Sequence, residues 1–300
     1  METPQLPEGI QSRDLALFRA ARQEKTLSDA SLRALAKVGY DSRSRSTHPP
    51  AADYDRDQVN LTSFIGDDSG SMANPPRVAP SAGRFEGIQI ASKAQILELA
   101  QNGWIDALSA FQNADTFRMQ TALLHEGILV NEEGLSYLSL PHAIRLVRGV
   151  NLNPRGGSPI IRRTMETLGR AFEEGQEFRN NYVNDVRIYL MMAHDGGATD
   201  HDVRAEDVQP LIADARASHY LKFFFVGMAM DNSEACIQSY LDMGLLDEEI
   251  IRPGDNATKV IKSIEGSAQA IERVSNLAKR QVLALPAGEI AALARQNMGK

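Results

Sequence analysis

Three oxygen-bearing side chains stand at alternate positions directly after an apolar-rich run of the chain. Residues 59–65 have the composition of a buried strand, and Asp67, Ser69 and Ser71 follow them. A turn at this place directs one carboxylate and two hydroxyls towards one point. Hard divalent cations such as Mg²⁺ prefer oxygen ligands and take about six of them. The pattern therefore predicts part of a metal site that needs further ligands from elsewhere in the chain.

Two later segments offer such ligands. Residues 156–159, Gly-Gly-Ser-Pro, precede a predicted helix, so the Ser158 hydroxyl either caps that helix or turns towards a metal. Asp195 follows a nearly unbroken apolar run at residues 186–193, which places it at the carboxyl end of a second predicted strand. The glycines after it let the loop turn sharply beside a bound group.

Strand and helix patterns alternate from residue 59 onwards. Near-continuous apolar runs at residues 186–193 and 220–228 indicate strands that are covered on both faces. With helices between them, they predict an α/β fold with a doubly wound, mainly parallel central sheet flanked by helices. Such sheets bind ligands outside the carboxyl ends of their strands, where Asp67 and Asp195 both fall.

The predicted elements follow from hydrophobic periodicity and from turn residues. The strands are residues 59–66, 116–124, 128–140, 186–193, 220–228 and 249–251, with 116–124 and 128–140 forming a hairpin at Glu126-Gly127. The helices are residues 12–38 (one long or two short), 86–111 (one long or a pair), 158–172, 208–218, 233–243 and 258–281. We predict a helical N-terminal extension and linker at residues 1–57, the α/β domain at 58–281 and a C-terminal tail at 282–300.

The motifs resemble those of the von Willebrand factor A (vWA) domain family with its metal-ion-dependent adhesion site, in the form found in intracellular and microbial proteins. The family has D-x-S-x-S after its first strand, which Asp67, Ser69 and Ser71 match in full. Ser158 stands where the family usually has Thr, and Asp195 takes the place of the family's Asp-Gly aspartate. The resemblance covers residues 59–277 and implies a vWA/Rossmann-like fold.

The resemblance also implies ligand roles. Ser69 and Ser71 would bind Mg²⁺ directly, with Mn²⁺ or Ca²⁺ as alternatives, and Asp67, Asp195 and Ser158 would bind directly or through water. One position would remain for water or for an Asp or Glu of a protein partner. Four further residues would contact that partner near the metal, namely Asp68, Gly157, His194 and Gly196. Ser158 lacks the methyl group that stiffens a Thr rotamer, and His194 replaces a family Thr.

The resemblance therefore implies a metal-dependent protein–protein interaction module that acts as a scaffold or assembly component. Intracellular and microbial family members often pair with AAA+ ATPases, and the same fold also serves as a structural component of phage or secretion particles. The alternative is a metal-dependent hydrolase that uses His194 and Asp195, which needs a general base near the ion. Adjacent His-Asp in HD-type phosphohydrolases lies on helices, whereas here it follows a strand, so we expect no enzyme.

Composition limits the classes of partner and of cellular compartment that we expect. The 300 residues carry a formal net charge of −7, which makes nucleic acid an improbable partner because phosphate-binding surfaces are usually basic. Cys236 is the single cysteine, so no intrachain disulfide can form, and we expect it to be a buried small residue. The longest apolar run, residues 223–230, is too short to span a bilayer. Without a signal-peptide pattern, we expect a cytoplasmic or intracellular protein, with association to a virion or particle as the alternative.

Overall fold

Strands and helices alternate and assemble into one sheet with helices on both faces. The computed structural model describes residues 27–40, 57–78, 90–149, 152–181, 183–231 and 233–298. Within them the strands are β1 (Gln58–Gly66), β2 (Phe117–Leu123), β3 (Gly127–Ile128), β4 (Leu138–Ser139), β5 (Asp185–His194), β6 (Leu221–Ala229) and β7 (Ile250–Ile251). The α-helices are α1 (Asp29–Lys37), α2 (Lys93–Ser109), α3 (Leu140–Arg148), α4 (Ile160–Asn181), α5 (Ala205–Ala217), α6 (Glu234–Asp242), α7 (Ala257–Ser275), α8 (Lys279–Leu283) and α9 (Glu289–Met298).

The sheet is mainly parallel and has the order β3-β2-β1-β5-β6-β7, with β4 also paired to β2. Strands β2, β1, β5, β6 and β7 run parallel, while β3 and β4 are antiparallel to β2. Gly66 of β1 pairs with Ala193 of β5, so the loops after these two strands begin side by side. The predicted doubly wound α/β fold is confirmed, and β1 and β5 carry the two candidate aspartates to one edge.

Each central strand divides its side chains between two hydrophobic cores. Val186, Ile188 and Leu190 of β5 face the core formed with α1, α4, α5 and α6, whereas Tyr189 and Met191 face α2, α3, α7 and α9. Burial on both faces explains why the β5 and β6 segments are apolar almost throughout. Cys236 on α6 is fully buried in the first of these cores, as expected.

The predicted strand at residues 128–140 is wrong. It is interrupted by a turn in which Asn131 Oδ1 accepts hydrogen bonds from the backbone N–H groups of Glu133 (3.1 Å) and Leu135 (2.8 Å). Gly134 has a φ of +79°, which glycine adopts readily. Only the dipeptides β3 and β4 remain as strand, and helix α3, with Pro141 in its first turn, was not predicted.

Helix α1 packs on the face formed by α4 and α5. Leu35 is 1% exposed, and Gly169 of α4 permits the contact because a Cβ there would lie 2.8 Å from Leu35 Cδ2. Ser31 Oγ donates to Asp214 Oδ2 of α5 at 2.6 Å. The predicted helical residues before 27 and linker residues 41–56 lie outside the described part of the chain.

Helix α8 crosses the predicted end of the domain at residue 281, and α9 follows it. The predicted helix at 258–281 is two helices, since α7 ends at Ser275 and α8 begins at Lys279. Ile290, Ala291 and Ala294 of α9 lie in the same core as α7. The division of the chain at residues 58 and 281 stays a prediction. None of the α-helices in the described ranges is long and apolar enough to cross a membrane.

Candidate metal centre

Loops from distant parts of the chain are joined at the carboxyl edge of the sheet. The Gly70 N–H in the loop after β1 donates to Gly156 O at 3.0 Å, and the Arg155 N–H donates to Asp68 O at 2.8 Å. The loop before α4 is joined in turn to the loop after β5, because the Thr199 N–H donates to Ser158 O at 3.0 Å. These backbone bonds bring together the segments that carry all five predicted metal ligands.

Four of the five predicted ligands form one connected group of oxygens. Asp67 Oδ1 accepts from the Ser69 N–H at 2.7 Å, and its Oδ2 accepts from the Asp195 N–H at 3.2 Å. Ser69 Oγ and Ser71 Oγ are 3.0 Å apart, and Ser71 Oγ donates to Asp195 Oδ1 at 2.5 Å. The backbone therefore fixes the two carboxylates relative to each other, with the two hydroxyls beside them.

The donor set suits a hard divalent cation. Two ligands of an octahedral Mg²⁺, each about 2.1 Å from the ion, lie about 2.9 Å from each other, close to the 3.0 Å between the two serine hydroxyls. Asp67 and Asp195 are almost fully buried, and two buried carboxylates this close together are stabilised by a cation. Burial, with a contribution from the Asp195 charge, raises the pKa of Asp67 to about 6. These residues fit a bound divalent ion.

Ser158 lies at the start of α4 and is 4% exposed. A Cβ built on Gly196 would lie 3.8 Å from Ser158 Oγ, so this hydroxyl faces the turn after Asp195. Capping of α4 is provided instead by Asp200, whose carboxylate accepts from the N–H groups of Ile161 (3.1 Å) and Arg162 (2.9 Å). The sequence leaves two roles open for the Ser158 hydroxyl, helix cap and metal ligand. The geometry favours the metal ligand.

Asp200 gives a direct test of this division of roles. We expect Asp200→Ala to lower the free energy of unfolding by about 1–2 kcal/mol, since two first-turn N–H groups of α4 lose their acceptor. Urea denaturation followed by circular dichroism measures the change. The control is Asp202→Ala, whose exposed ion pair with Arg162 should contribute at most about 1 kcal/mol. Equal losses in the two variants would show that Asp200 does not cap the helix.

The residues predicted to contact a partner divide into two groups. Gly157 is exposed and Gly196 is half-buried, so both border the candidate centre from outside. Asp68 is 1% exposed, and its Oδ1 accepts from the His125 N–H at 2.8 Å, which fixes the loop after β2. The carboxylate is thus buried and held by a structural bond, and its contact with a partner stays a prediction.

His194, also predicted to contact a partner, is fully buried. Its ring packs against Tyr240 with the centroids 4.4 Å apart, and its Nε2 lies 3.3 Å from Ser239 Oγ of α6. As the last residue of β5 it points into the core on the α6 side, whereas Asp195 begins the loop. Burial lowers the pKa of His194 to about 4, so its imidazole is neutral at pH 7. The partner contact of His194 likewise stays a prediction.

Lys93, which the sequence did not single out, enters the centre from α2. Its side chain is buried, and its Nζ lies 2.9 Å from Asp195 Oδ2 and 3.6 Å from Asp255 Oδ2. Burial opposes the charged ammonium, but Asp195, Asp255 and Asp231 outweigh it and raise the pKa of Lys93. Lys93 is the first residue of α2, where the helix dipole disfavours a cation, but the sequence predicted a helix from residue 86 and gave no such signal.

Across the described residues, no group of three or more His, Cys, Asp and Glu side chains could hold a metal ion. The candidate centre has only two carboxylates, and serine hydroxyls supply its other donors. A site for Zn²⁺ or another metal that prefers nitrogen and sulfur is not what these residues offer.

Comparisons with known proteins identify no family from the sequence. No protein-family model matches the chain, and no curated protein matches it. Solved structures similar to it include proximal thread matrix protein 1 from the mussel byssus with a zinc-occupied MIDAS motif (11% identity, TM-score 0.44, 73% of this chain and 46% of that one). A second is manganese-loaded Plasmodium vivax TRAP protein, with 16% identity and a TM-score of 0.40 over 70% of this chain and 74% of that one. A third is pilus adhesin SpaC from Lactobacillus rhamnosus GG in an open conformation, with 11% identity and a TM-score of 0.47 over 73% of this chain and 30% of that one.

The chain spans less than half of the mussel and Lactobacillus proteins to which it is similar. TM-scores below 0.5 and identities of 16% or less do not transfer a function. The functional conclusion therefore depends on the geometry of the candidate centre.

Proposed function

We propose that the protein is a metal-dependent protein–protein interaction module. Asp67, Ser69, Ser71 and Asp195 would hold one divalent cation, with Ser158 directly or through water, and Mg²⁺ is the ion that this donor set favours. Mn²⁺ and Ca²⁺ are the alternatives. The observation that supports the proposal is the pair of serine hydroxyls 3.0 Å apart, with one of them bonded to the buried Asp195 carboxylate.

The centre opens to solvent on one side. Ser71 is exposed, as are Gly157 and Thr199 across from it. A Cβ on Gly157 would lie 2.2 Å from Thr199 Oγ1, so glycine is required for the loops to approach this closely. A side chain of a partner can reach a bound ion from this direction.

Charge balance favours an acidic ligand from the partner. The carboxylates of Asp67 and Asp195 would neutralise a divalent ion, and the Lys93 ammonium beside them is balanced by the Asp255 carboxylate at 3.6 Å. An incoming Asp or Glu would therefore meet an electrophilic ion with no excess negative charge around it, although the formal net charge of the whole chain is −7. The bound ion supplies a Lewis-acidic coordination position for that carboxylate.

The sequence resemblance extends this proposal to a class of partners. A scaffold that binds an AAA+ ATPase and an assembly component that binds subunits of a phage or secretion particle would both present an Asp or Glu to the ion. The same centre could serve either role, and identification of the bound partner decides between them.

A hydrolase is the less favoured alternative. It needs a general base close to the ion, and His194 is the candidate that the sequence offers. The burial of His194 against Tyr240 and α6 turns it away from the carboxylates, which supports binding over catalysis.

Titration calorimetry with MgCl₂, followed by affinity capture with and without EDTA, tests the proposal. We expect wild-type protein to bind one ion and Ser71→Ala to bind it at least about tenfold more weakly, because an exposed hydroxyl ligand is lost. Ser109→Ala is the control, since its hydroxyl only bonds Ile105 O of its own helix. A partner protein captured by the wild type should be lost when EDTA is added. It should also be lost with Ser71→Ala and retained with Ser109→Ala.

The contrary outcome is equally defined. Phosphatase or nuclease activity with Mg²⁺ or Mn²⁺ that disappears in His194→Ala and persists in Ser71→Ala would establish the hydrolase instead. Absence of Mg²⁺, Mn²⁺ and Ca²⁺ binding to wild-type protein would overturn the metal-dependent function altogether.

A further inference from the structure

The candidate centre already contains a positive charge supplied by the chain. The Lys93 Nζ lies 2.9 Å from Asp195 Oδ2, while the other oxygen of the same carboxylate, Oδ1, accepts from Ser71 at 2.5 Å. Asp195 is therefore shared between the serine side of the centre and a buried ammonium. Any cation that binds Asp195 must compete with this ammonium for the negative charge of the Asp195 carboxylate.

The backbone of Lys93 is fixed beside the loop that carries the serines. Its N–H donates to Asn74 O at 2.9 Å, directly after the 3₁₀ turn at Gly70–Ala73. Ser92 caps the helix by accepting from the Gln95 N–H at 3.2 Å, which fixes the start of α2. With its backbone held at this point and its side chain 9% exposed, the ammonium can move only between nearby acceptors.

Asp255 is such an acceptor. Its Oδ2 is 3.6 Å from Lys93 Nζ, beyond a direct hydrogen bond but within the range of an ion pair. The Asp255 carboxylate is itself positioned, because its Oδ1 accepts from the Arg77 N–H at 3.0 Å. It lies in the segment before α7, which is joined to the same loop by the Val78 N–H bond to Asp255 O at 3.3 Å.

We propose that Lys93 is a tethered counter-cation that competes with the divalent ion for Asp195, and that Asp255 receives the ammonium when the ion binds. This regulation rests on the proposed metal function and deepens it. Without the ion, Lys93 neutralises Asp195 and keeps the centre stable. With the ion, repulsion moves the ammonium towards Asp255, and the position of Lys93 reports occupancy to the segment that precedes α7.

The consequence is a centre of reduced metal affinity. A unit charge beside a divalent ion changes its binding by about tenfold or more even at the dielectric of water, and by more in a buried site. Lys93→Met removes the charge and retains the length of the side chain. We expect it to bind Mg²⁺ at least about tenfold more tightly than wild type, and to lose thermal stability when no metal is present.

The experiment is Mg²⁺ titration calorimetry on the full chain, with melting temperatures in EDTA and in Mg²⁺ as a second readout. Lys93→Arg keeps the charge and should retain an affinity near that of wild type. Lys259→Met is the control for net charge, because Lys259 is exposed in the first turn of α7. The Mg²⁺-induced rise in melting temperature should be larger in Lys93→Met than in the wild type and the two other variants.

Asp255→Asn tests the second half of the proposal and keeps Lys93 in place. With its alternative acceptor weakened, the ammonium should remain on Asp195, so Mg²⁺ affinity should fall about fivefold. Asp247→Asn, an exposed acidic residue paired with Arg252, is the matched control. If Lys93→Met does not fold in EDTA, its folding in Mg²⁺ supports the proposal, and if it folds in neither condition Asp255→Asn decides.

Failure of this inference is distinguishable from failure of the proposed function. Equal Mg²⁺ affinity in wild type and Lys93→Met, or unchanged affinity in Asp255→Asn, would overturn the competition and leave the metal site intact. Binding by Lys93→Met but not by wild type would support the competition and overturn metal-dependent function in the natural chain. Binding by neither would overturn both.

Discussion

Arg187→Met is expected to lower the free energy of unfolding by about 3–5 kcal/mol, the range typical of a buried ion pair that loses one partner. Arg187 lies on β5 and is 1% exposed. Its guanidinium donates to Asp185 Oδ2 at 2.5 Å and to the backbone carbonyls of Val274 (2.7 Å) and Leu277 (2.8 Å). These carbonyls lie at the end of α7, where a cation also offsets the negative end of the helix dipole.

The size of the effect follows from what methionine leaves behind. The Asp185 carboxylate and two carbonyls lose a donor that is inaccessible to solvent, and each unsatisfied group costs about 1–3 kcal/mol. Guanidinium denaturation measures the loss. Arg148→Met is the control because its ion pair with Asp106 is exposed on both sides, so its effect should stay within about 1 kcal/mol.

Arg187 also separates stability from function. Asp185 is the first residue of β5, and the candidate centre begins after its last residue, so the two sites lie at opposite ends of the strand. Folded Arg187→Met should therefore bind Mg²⁺ with an affinity close to that of wild type. A loss below 1 kcal/mol would mean that solvent reaches the end of α7 and replaces the guanidinium.

The strands of the central sheet could be predicted because burial on both faces leaves a direct mark on composition. β5 and β6 are apolar at successive positions, and no helix pattern competes with that signal. The region from residue 128 to 148 was less predictable. There Asn131 and Gly134 form a turn, and the local sequence does not show that two short strands pair with β2 while the following residues form a helix.

The candidate ligands could be predicted for a similar reason, since D-x-S-x-S and the later Ser and Asp stand directly after or before regular elements. Lys93 and Asp200 could not. The Lys93–Asp195 pair joins residues that are 102 positions apart, and Asp200 caps a helix that begins 40 residues earlier. Such contacts depend on the packing of loops, which composition and periodicity do not record. The burial of Asp68 and His194 has the same origin, because a motif indicates where a residue stands in the chain and not which way its side chain turns.

Asp195→Asn is expected to weaken Mg²⁺ binding by at least about 100-fold, because it removes one of the two charges that would hold the ion. The same change leaves the buried Lys93 ammonium with the Asp255 carboxylate, 3.6 Å away, as its ion-pair partner. In EDTA, where no metal contributes, we therefore expect the variant to lose about 3 kcal/mol of stability. Calorimetric titration and denaturation in EDTA measure the two effects separately.

The double variant Asp195→Asn/Lys93→Met separates the two roles of Asp195. In EDTA it should be more stable than Asp195→Asn alone, with a coupling energy of about 1–3 kcal/mol, since removal of both charges leaves neither one buried and unpaired. It should bind Mg²⁺ more tightly than Asp195→Asn, because the repelling ammonium is gone, but far more weakly than Lys93→Met alone, because the Asp195 carboxylate is missing. Recovery of stability without recovery of affinity to the level of Lys93→Met is the result expected of a carboxylate that serves both as ion-pair partner and as metal ligand. If affinity returned together with stability, Asp195 would be a structural partner of Lys93, and the ion would be held by the other oxygens of the centre.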